Sequence, residues 1–274
     1  MPRYVLPLLV LAVLVVALVL TWLALGRGVG AGEVAVAEQD LAPFARIEVS
    51  GSADVLLQKG SAEHVTIETP TRGLRVQAEV RGNTLRVSTR DNRRWWSSLF
   101  GRTSSRNARI TVTYRNLDAL VLSGAVKITA AAMETPELRV SANGGSSIRI
   151  DALKTRSLRI EGSGALKAEL AGEATEQRVA ISGAAEYNAE RLESAQANVS
   201  VSGVGHVIVR VEKALTASIS GAGTIEYYGN PEVKEHVSGV GRVKRREAAG
   251  DTAKPRWHVA SWLLGGALQD CFVL

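Results

Sequence analysis

A short pattern of polar and apolar positions recurs eight times along the chain. Each copy contains a glycine that follows a serine or an asparagine. These eight residues, here called the corner glycines, are Gly51, Gly124, Gly144, Gly164, Gly183, Gly203, Gly221 and Gly239. From Gly124 onward, neighbouring corner glycines lie 18 to 20 residues apart. A fixed period of this length is typical of a repeat protein.

The residues that follow each corner glycine alternate in polarity. The residue four positions later is apolar or amphipathic in every copy: Val55, Ile128, Ile148, Ala168, Tyr187, Val207, Ile225 and Val243. The residue three positions later is polar in every copy: Asp54, Lys127, Ser147, Lys167, Glu186, His206, Thr224 and Arg242. Alternation with a period of two predicts a strand that buries the first set and exposes the second.

Each repeat therefore predicts a strand, a glycine corner and a second strand. Glycine adopts positive φ without steric cost, and the preceding serine or asparagine can hydrogen-bond nearby backbone. No helical period separates the copies, which argues against βαβ units, and the period is too short for a propeller blade. The prediction is an all-β solenoid whose coils stack about 4.8 Å apart, with the serines and asparagines forming a ladder.

Three segments carry a resemblance to a known family: "FARIEVSGSADVLLQKG", "ARITVTYRNLDALVLSGAVKI" and "ASISGAGTIEYYGNP". Residues 43–246 resemble the putative auto-transporter adhesin head GIN domain family of the bacterial cell envelope. The resemblance implies a right-handed, mostly parallel β-helix with about 18–20 residues per coil, and it implies no catalytic residues. An acidic residue often follows the second small residue of the family's corner, but here only Asp54 and Glu186 clearly do so.

The amino-terminal region predicts a membrane anchor. Tyr4–Leu25 is apolar without a charged residue, and 22 residues can cross the roughly 30 Å hydrocarbon layer as a helix. The alternative is a cleaved signal peptide, although the nearest small-residue cleavage site, Ala35-Val36-Ala37, lies well beyond the apolar run. The first reading places the protein in the inner membrane of a bacterial envelope with its domain on the periplasmic side, and the second makes it secreted.

The chain divides into four predicted parts. Residues 1–25 form the transmembrane signal-anchor, 26–42 a linker rich in glycine and alanine, and 43–246 the β-helix domain. Residues 247–274 break the repeat and predict a capping or interfacial helix. The single cysteine, Cys271, cannot form a disulfide within the chain.

One segment between two predicted strands is a candidate interaction surface. It reads "RDNRRWWSSLFGRTSSRN" and contains Arg93, Arg94, Trp95, Trp96 and Phe100. Tryptophan beside arginine suits lipid headgroups or the face of a saccharide. The alternative is a long hairpin loop whose aromatic side chains fold back over the open end or side of the solenoid, where an uncovered edge would pair with other chains.

The sequence predicts no metal or cofactor. The corners lack the aspartates of calcium-binding solenoids, the four histidines lack metal-ligand spacing, and no phosphate-binding motif is present. The formal net charge is +6, but the cations are spread along the repeats, so nucleic acid is not an expected partner. Lys167, Glu186 and His206 share one outer position in successive coils, where a ladder of ion pairs accounts for them.

Together these observations predict a non-catalytic, membrane-anchored module that acts as an adhesin-like binding protein or as a structural element of the envelope. Its expected partners are the membrane and an envelope glycan, a lipid surface or another protein. Two alternatives remain open at this point. One is a carbohydrate-active enzyme, such as a polysaccharide lyase or hydrolase on the same scaffold, and the other is an envelope signalling or stress partner.

Overall fold

The computed structural model describes residues 35–69, 74–91 and 107–247. Within these ranges the chain forms ten strands and no helix, so none of the described segments could cross a bilayer as a helix. The strands are β1 (Ala35–Asp40), β2 (Arg46–Lys59), β3 (His64–Thr69), β4 (Leu74–Arg81), β5 (Thr84–Asp91), β6 (Ala108–Tyr114), β7 (Ala119–Ala130), β8 (Met133–Glu134), β9 (Glu137–Tyr228) and β10 (Glu232–Arg245). The predicted signal-anchor and residues 248–274 lie outside the described residues.

The repeats stack in register in a mostly parallel sheet. β2 pairs with β7, β7 with β9, and β9 with β10, all in parallel. In each pairing a corner glycine faces another corner glycine, as Gly51 does Gly124 and Gly221 does Gly239. The residues that precede the glycines face each other in the same way, which confirms the predicted ladder of serines and asparagines. We use "layer" for the residues that one repeat contributes to this stack.

The corner requires glycine for two reasons. Gly183 and Gly203 have φ of 138° and 149°, a region that other residues rarely adopt. A Cβ atom on Gly203 would also overlap the carbonyl oxygen of Gly183 in the layer below. Strand pairing continues through the corner, so the glycine bends one continuous strand. This differs from the prediction of a glycine corner between two separate strands.

The predicted alternation of buried and exposed positions is confirmed. Val207 is completely buried, whereas His206, one residue earlier, is exposed. The apolar positions of successive layers form one continuous hydrophobic core. Val243 in the last layer is only partly buried, because no described strand lies beyond it.

A polar network crosses this core in the middle of the stack. The Tyr187 hydroxyl donates to Gln177 Oε1 at 3.1 Å, and Gln177 Nε2 donates to Ser194 Oγ at 2.7 Å. The Ser194 hydroxyl in turn donates to the backbone carbonyl of Arg210 at 2.7 Å. Burial raises the pKa of Tyr187 well above its ordinary value. Each polar side chain of this network therefore has a partner, as the low dielectric of a core requires.

The amino-terminal end of the stack is covered by antiparallel strands. β5 pairs in parallel with the first half of β2, and β6 pairs with the second half, so these two strands together form the first layer. β4 pairs antiparallel with β5, and β3 pairs antiparallel with both β6 and β1. The alternate residues Leu74, Val76, Ala78 and Val80 of β4 pack against the core. At the opposite end, β10 is the outermost strand of the sheet.

Candidate functional site

An open groove of about 1050 Å³ runs along the stack on the side of the corner glycines. Its lining residues come one, two and three positions after the seven corner glycines from Gly124 to Gly239, and Asp54 and Asn107 lie at its amino-terminal end. Seven parallel layers have six intervals of about 4.8 Å, so the groove is about 29 Å long. An elongated ligand could therefore contact every layer.

The floor of the groove is apolar although it faces solvent. The residues one position after the seven corner glycines, here called the floor row, are Ala125, Gly145, Ala165, Ala184, Val204, Ala222 and Val240. All seven are exposed, and the exposed fractions of Val204 and Val240 reach 65% and 83%. Outward positions of a solvated strand are ordinarily polar. Seven successive exceptions mark this surface as different from the other outward faces.

The groove changes character along its length. Two positions after the corner glycine, the amino-terminal layers carry the buried side chains of Val126, Ser146 and Leu166. The three carboxyl-terminal layers carry glycine at that position, at Gly205, Gly223 and Gly241. The Ser146 hydroxyl is buried without a hydrogen-bond partner among the described residues. The groove therefore has side chains beneath its amino-terminal half and bare backbone beneath its carboxyl-terminal half.

One wall of the groove is polar. The residues three positions after the corner glycines, here called the outer row, include Lys167 and Glu186, whose Nζ and Oε2 atoms lie 3.1 Å apart. The hydrogen bond to Glu186 is the main cause that raises the pKa of Lys167, and its charge and that of Glu169 act in the same direction. His206 Nε2 lies 3.7 Å from Glu226, which also pairs with Arg246 at 3.2 Å.

The two ends of the wall differ from its middle. Lys127 and Arg242 are exposed members of the outer row, and neither forms an ion pair with another described residue. At the amino-terminal end, Asn107 Nδ2 donates to Asp54 Oδ1 at 3.0 Å and Ser52 Oγ donates to Asn107 Oδ1 at 3.0 Å. The described part of the wall thus presents paired charges in the middle and free cations toward both ends.

Lys167, Glu186 and His206 line the groove in one row as predicted, but the predicted ladder of ion pairs stops at Lys167 and Glu186, because His206 pairs with Glu226. The groove itself was not predicted. The sequence nevertheless contained a signal for the groove. The position after each corner glycine carries no polar side chain from Gly124 onward, although the alternation makes it an outward position. Glu226, which pairs with both His206 and Arg246, was also missed, as was Arg246. These two residues follow their corner glycines by five and seven positions, outside the three positions that line the groove.

The predicted interaction residues Arg93, Arg94, Trp95, Trp96 and Phe100 lie outside the described residues. The strands on either side of this segment pair with β2 in a defined register. β5 pairs with β2 as far as Ser88 opposite Ser50, and β6 resumes at Ala108 opposite Ala53. Residues 92–106, here called the insertion, thus separate β5 from β6 in the chain, and Asn107, which follows them, lies at the amino-terminal end of the groove.

The described side chains of this surface give little support for a catalytic or metal-binding role. No group of three or more metal-ligating side chains occurs in the part of the chain that the structure describes. Glu169 and Glu186 both lie beside Lys167, at 3.6 and 3.1 Å, and Glu169 also pairs with Arg149. These ion pairs account for both carboxylates without a role as acid and base.

The fold and the repeat can be compared with known proteins. Residues 43–231 match the family described as putative auto-transporter adhesin, head GIN domain. The chain belongs to this family. The match stops before β10, yet β10 continues the stacking in register through Arg245. No curated protein is similar enough in sequence to match the chain.

Solved structures share the fold of this family member. A putative adhesin from Bacteroides fragilis has a TM-score of 0.68 at 19% identity, and the match covers 78% of this chain and 97% of that one. A putative lipid binding protein from Parabacteroides distasonis has a TM-score of 0.60 at 16% identity, covering 80% and 98%. A putative adhesin from Parabacteroides merdae has a TM-score of 0.59 at 21% identity, covering 80% and 98%.

Proposed function

We propose that this protein is a non-catalytic, adhesin-like binding module of the bacterial cell envelope. In this proposal the repeats wind as a right-handed β-helix, the apolar segment 4–25 anchors the chain in the inner membrane, and the domain faces the periplasm. Membership of an adhesin head-domain family supports an extracellular or envelope location. The groove along the corner glycines is the proposed binding surface.

The groove carries this proposal because it is long, open and unlike the other faces. Its volume of about 1050 Å³ lies at the upper end of small-molecule pockets, and its length suits an elongated ligand. The layers that form the floor are paired with each other, so a bound peptide could not simply extend the sheet there. The ligand that fits is a chain with apolar patches along one side and polar groups along the other, and an envelope glycan or glycolipid has this character.

The arginine and tryptophan segment adds to this proposal. None of the described residues that line the groove is phenylalanine, tyrosine or tryptophan, so the imidazole of His206 is the one ring that the described walls offer to a sugar. Trp95 and Trp96 belong to the insertion, which is followed in the chain by Asn107, and Asn107 lies at the amino-terminal end of the groove. We therefore assign them the contact with one end of the ligand.

A pair of matched substitutions tests the groove. Ala222 in the floor row and Ala152, which does not line the groove, are both exposed alanines of β9. The full chain in detergent micelles is assayed against immobilised lipopolysaccharide, peptidoglycan fragments and phospholipid vesicles. Ala222→Arg should weaken binding to the recognised material at least about tenfold, because a long charged side chain fills the floor. Ala152→Arg should change it less than about twofold.

Binding that Ala222→Arg and Ala152→Arg affect equally would remove the groove from the proposal. Replacement of both Trp95 and Trp96 by alanine tests the segment in the same assay, with an expected loss of binding of about tenfold if each ring stacks on a sugar.

The location of the domain is tested with reporter fusions. A reporter enzyme that works only outside the cytoplasm, fused after Glu247, should be active. A reporter that works only inside should be silent at the same position.

The enzyme alternative has its own decisive measurement. A polysaccharide lyase or hydrolase would turn over envelope glycans when purified, and Glu186→Gln would abolish that activity. We expect no turnover above the rate without protein, since Glu186 is held by Lys167.

A further inference from the structure

The carboxyl-terminal end of the stack leaves part of the hydrophobic core uncovered. In the layer before β10, Leu215, Ile219 and Ile225 are at most 1% exposed. Their partners in β10 are Val233, Val237 and Val243, of which Val237 is 41% exposed and the other two are partly buried. No described strand lies beyond β10. An exposed sheet edge with a row of valines pairs readily with another chain unless it is covered.

A charge on the same face limits what can cover it. Glu235 pairs in register with the completely buried Ala217, so it occupies a column that faces the core in earlier layers. It forms no ion pair with any described residue. If a second copy of the chain stacked on β10, this carboxylate would be buried without a cation, which is strongly unfavourable. A covering segment therefore needs apolar side chains and a positive charge.

The chain carries such a segment immediately after β10. The backbone nitrogen of Arg246 bonds to the carbonyl oxygen of Tyr227 at 2.8 Å, so the last layer extends to this residue. The 27 residues from 248 to 274 exceed the 18–20 of one repeat and are long enough to cross one layer. They contain two cations, Lys254 and Arg256. Their large apolar residues are Trp257, Val259, Trp262, Leu263, Leu264, Leu268, Phe272, Val273 and Leu274.

We propose that residues 248–274 cover the exposed end of β10. Their apolar side chains pack on the three valines of that face, and Lys254 or Arg256 pairs with Glu235. This closure makes the stack finite at its carboxyl-terminal end, as the antiparallel strands do at the other end. It also keeps one copy of the protein from pairing with the next through β10.

Trypsin cleavage after Arg256 tests this docking in the full chain held in detergent micelles. Val237→Asn removes an apolar contact from the end face, and Val204→Asn makes the same change at another exposed valine in the groove floor. Val237→Asn should speed cleavage after Arg256 about tenfold, the factor expected when roughly half of a buried valine's transfer free energy is lost. Val204→Asn should change it less than about twofold, and Glu235→Gln should give an intermediate increase.

Hydrogen exchange gives a second measurement. Ending the chain after Glu247 should raise amide exchange in β10 about tenfold or more, because the edge of β10 loses its cover. β7, which lies between two strands, should not change. Equal exchange in β10 with and without the last 27 residues would overturn the proposal. Unchanged protection of the Arg256 site in Val237→Asn would also overturn it, and this result is expected if the micelle holds the segment. A full-length dimer that Val237→Asn separates into monomers would overturn it as well.

Discussion

The two ends of the stack place the same residue type in opposite surroundings. Val87 in the first layer and Val237 in the last stand in one column, two positions before the corner. Val87 is 1% exposed and Val237 is 41% exposed. Two positions earlier in each layer, the first carries the buried Leu85 and the last carries the exposed Glu235. The repeat therefore does not by itself determine burial, since a side chain is buried only when another layer or a cap lies on each side.

The difference shows how a parallel stack is brought to an end. Each parallel layer exposes an edge that suits the next layer, so nothing within the repeat stops its growth. At the amino-terminal end the chain reverses direction: β4 and β3 pair antiparallel with the two strands of the first layer, and β1 pairs antiparallel with β3. At the carboxyl-terminal end, among the described residues, the change is one of composition: Glu235 stands where earlier layers have apolar residues. Strand direction limits one end and charge limits the other.

The largest expected effect comes from placing a carboxylate at both ends of one column, in a chain that ends after Glu247 so that residues 248–274 cannot cover β10. Val87→Asp should lower the free energy of unfolding by roughly 3–4 kcal/mol, because the carboxylate would be buried without a partner. Val237→Asp should lower it by less than about 1.5 kcal/mol, because this side chain already contacts water. Denaturant unfolding followed by circular dichroism measures both. Equal losses would mean that the two ends are covered alike and would contradict the comparison.

A smaller effect separates the middle of the stack from its end. Tyr187→Phe removes the donor to Gln177 Oε1 and should cost about 1–3 kcal/mol, because the amide oxygen stays buried. Tyr227→Phe, next to the last layer, is the control. The Tyr227 side chain is half-buried and its hydroxyl makes no hydrogen bond within the described residues, so its loss should cost less than about 0.5 kcal/mol. Thermal unfolding of the two variants shows which substitution costs more stability, and a larger loss in Tyr227→Phe than in Tyr187→Phe would refute the network.

The smallest effect concerns the charges of the groove wall. The hydrogen bond to Glu186 favours the ammonium form of Lys167, so its stabilising effect is present below the ordinary lysine pKa and is lost as pH rises through the raised pKa. Glu186→Gln should move the pKa of Lys167 down toward its ordinary value. Glu161→Gln, whose carboxylate pairs with Arg159, should leave it unchanged. A nitrogen NMR titration of Lys167 Nζ distinguishes the two, and an unchanged value in Glu186→Gln would show that the pair does not form in solution.

Much of the middle of the stack was predictable from the sequence because every layer repeats the same local rule. Val207 and His206 were assigned correctly from alternation alone, and the corner glycines gave the register. The amino-terminal cap was not predicted, although Gly82-Asn83 between two alternating runs is a signal for a two-residue hairpin turn. The polar network could not be predicted, because Gln177, Tyr187 and Ser194 meet only when separate layers are stacked.

The groove was predictable from the sequence only in part. The sequence shows which residues point outward, but it does not show that the outward residues of the corner form a concave surface. That depends on the bend at each corner glycine, which is a property of the backbone. The outer row was predicted as a set because it obeys the alternation. The floor row was not predicted, because alanine and valine at these positions do not stand out in a sequence with 46% hydrophobic residues.

The insertion in the first layer has a consequence for how such proteins diversify. Residues 92–106 lie between β5 and β6 in the chain, and both strands keep their parallel register against β2. The cost of closing a longer connection grows only with the logarithm of its length, by roughly 0.6 kcal/mol for each doubling. A corner can therefore accept a foreign segment without disturbing the core. Lineages that share this scaffold could exchange recognition segments at the corners while the rod that carries them stays the same.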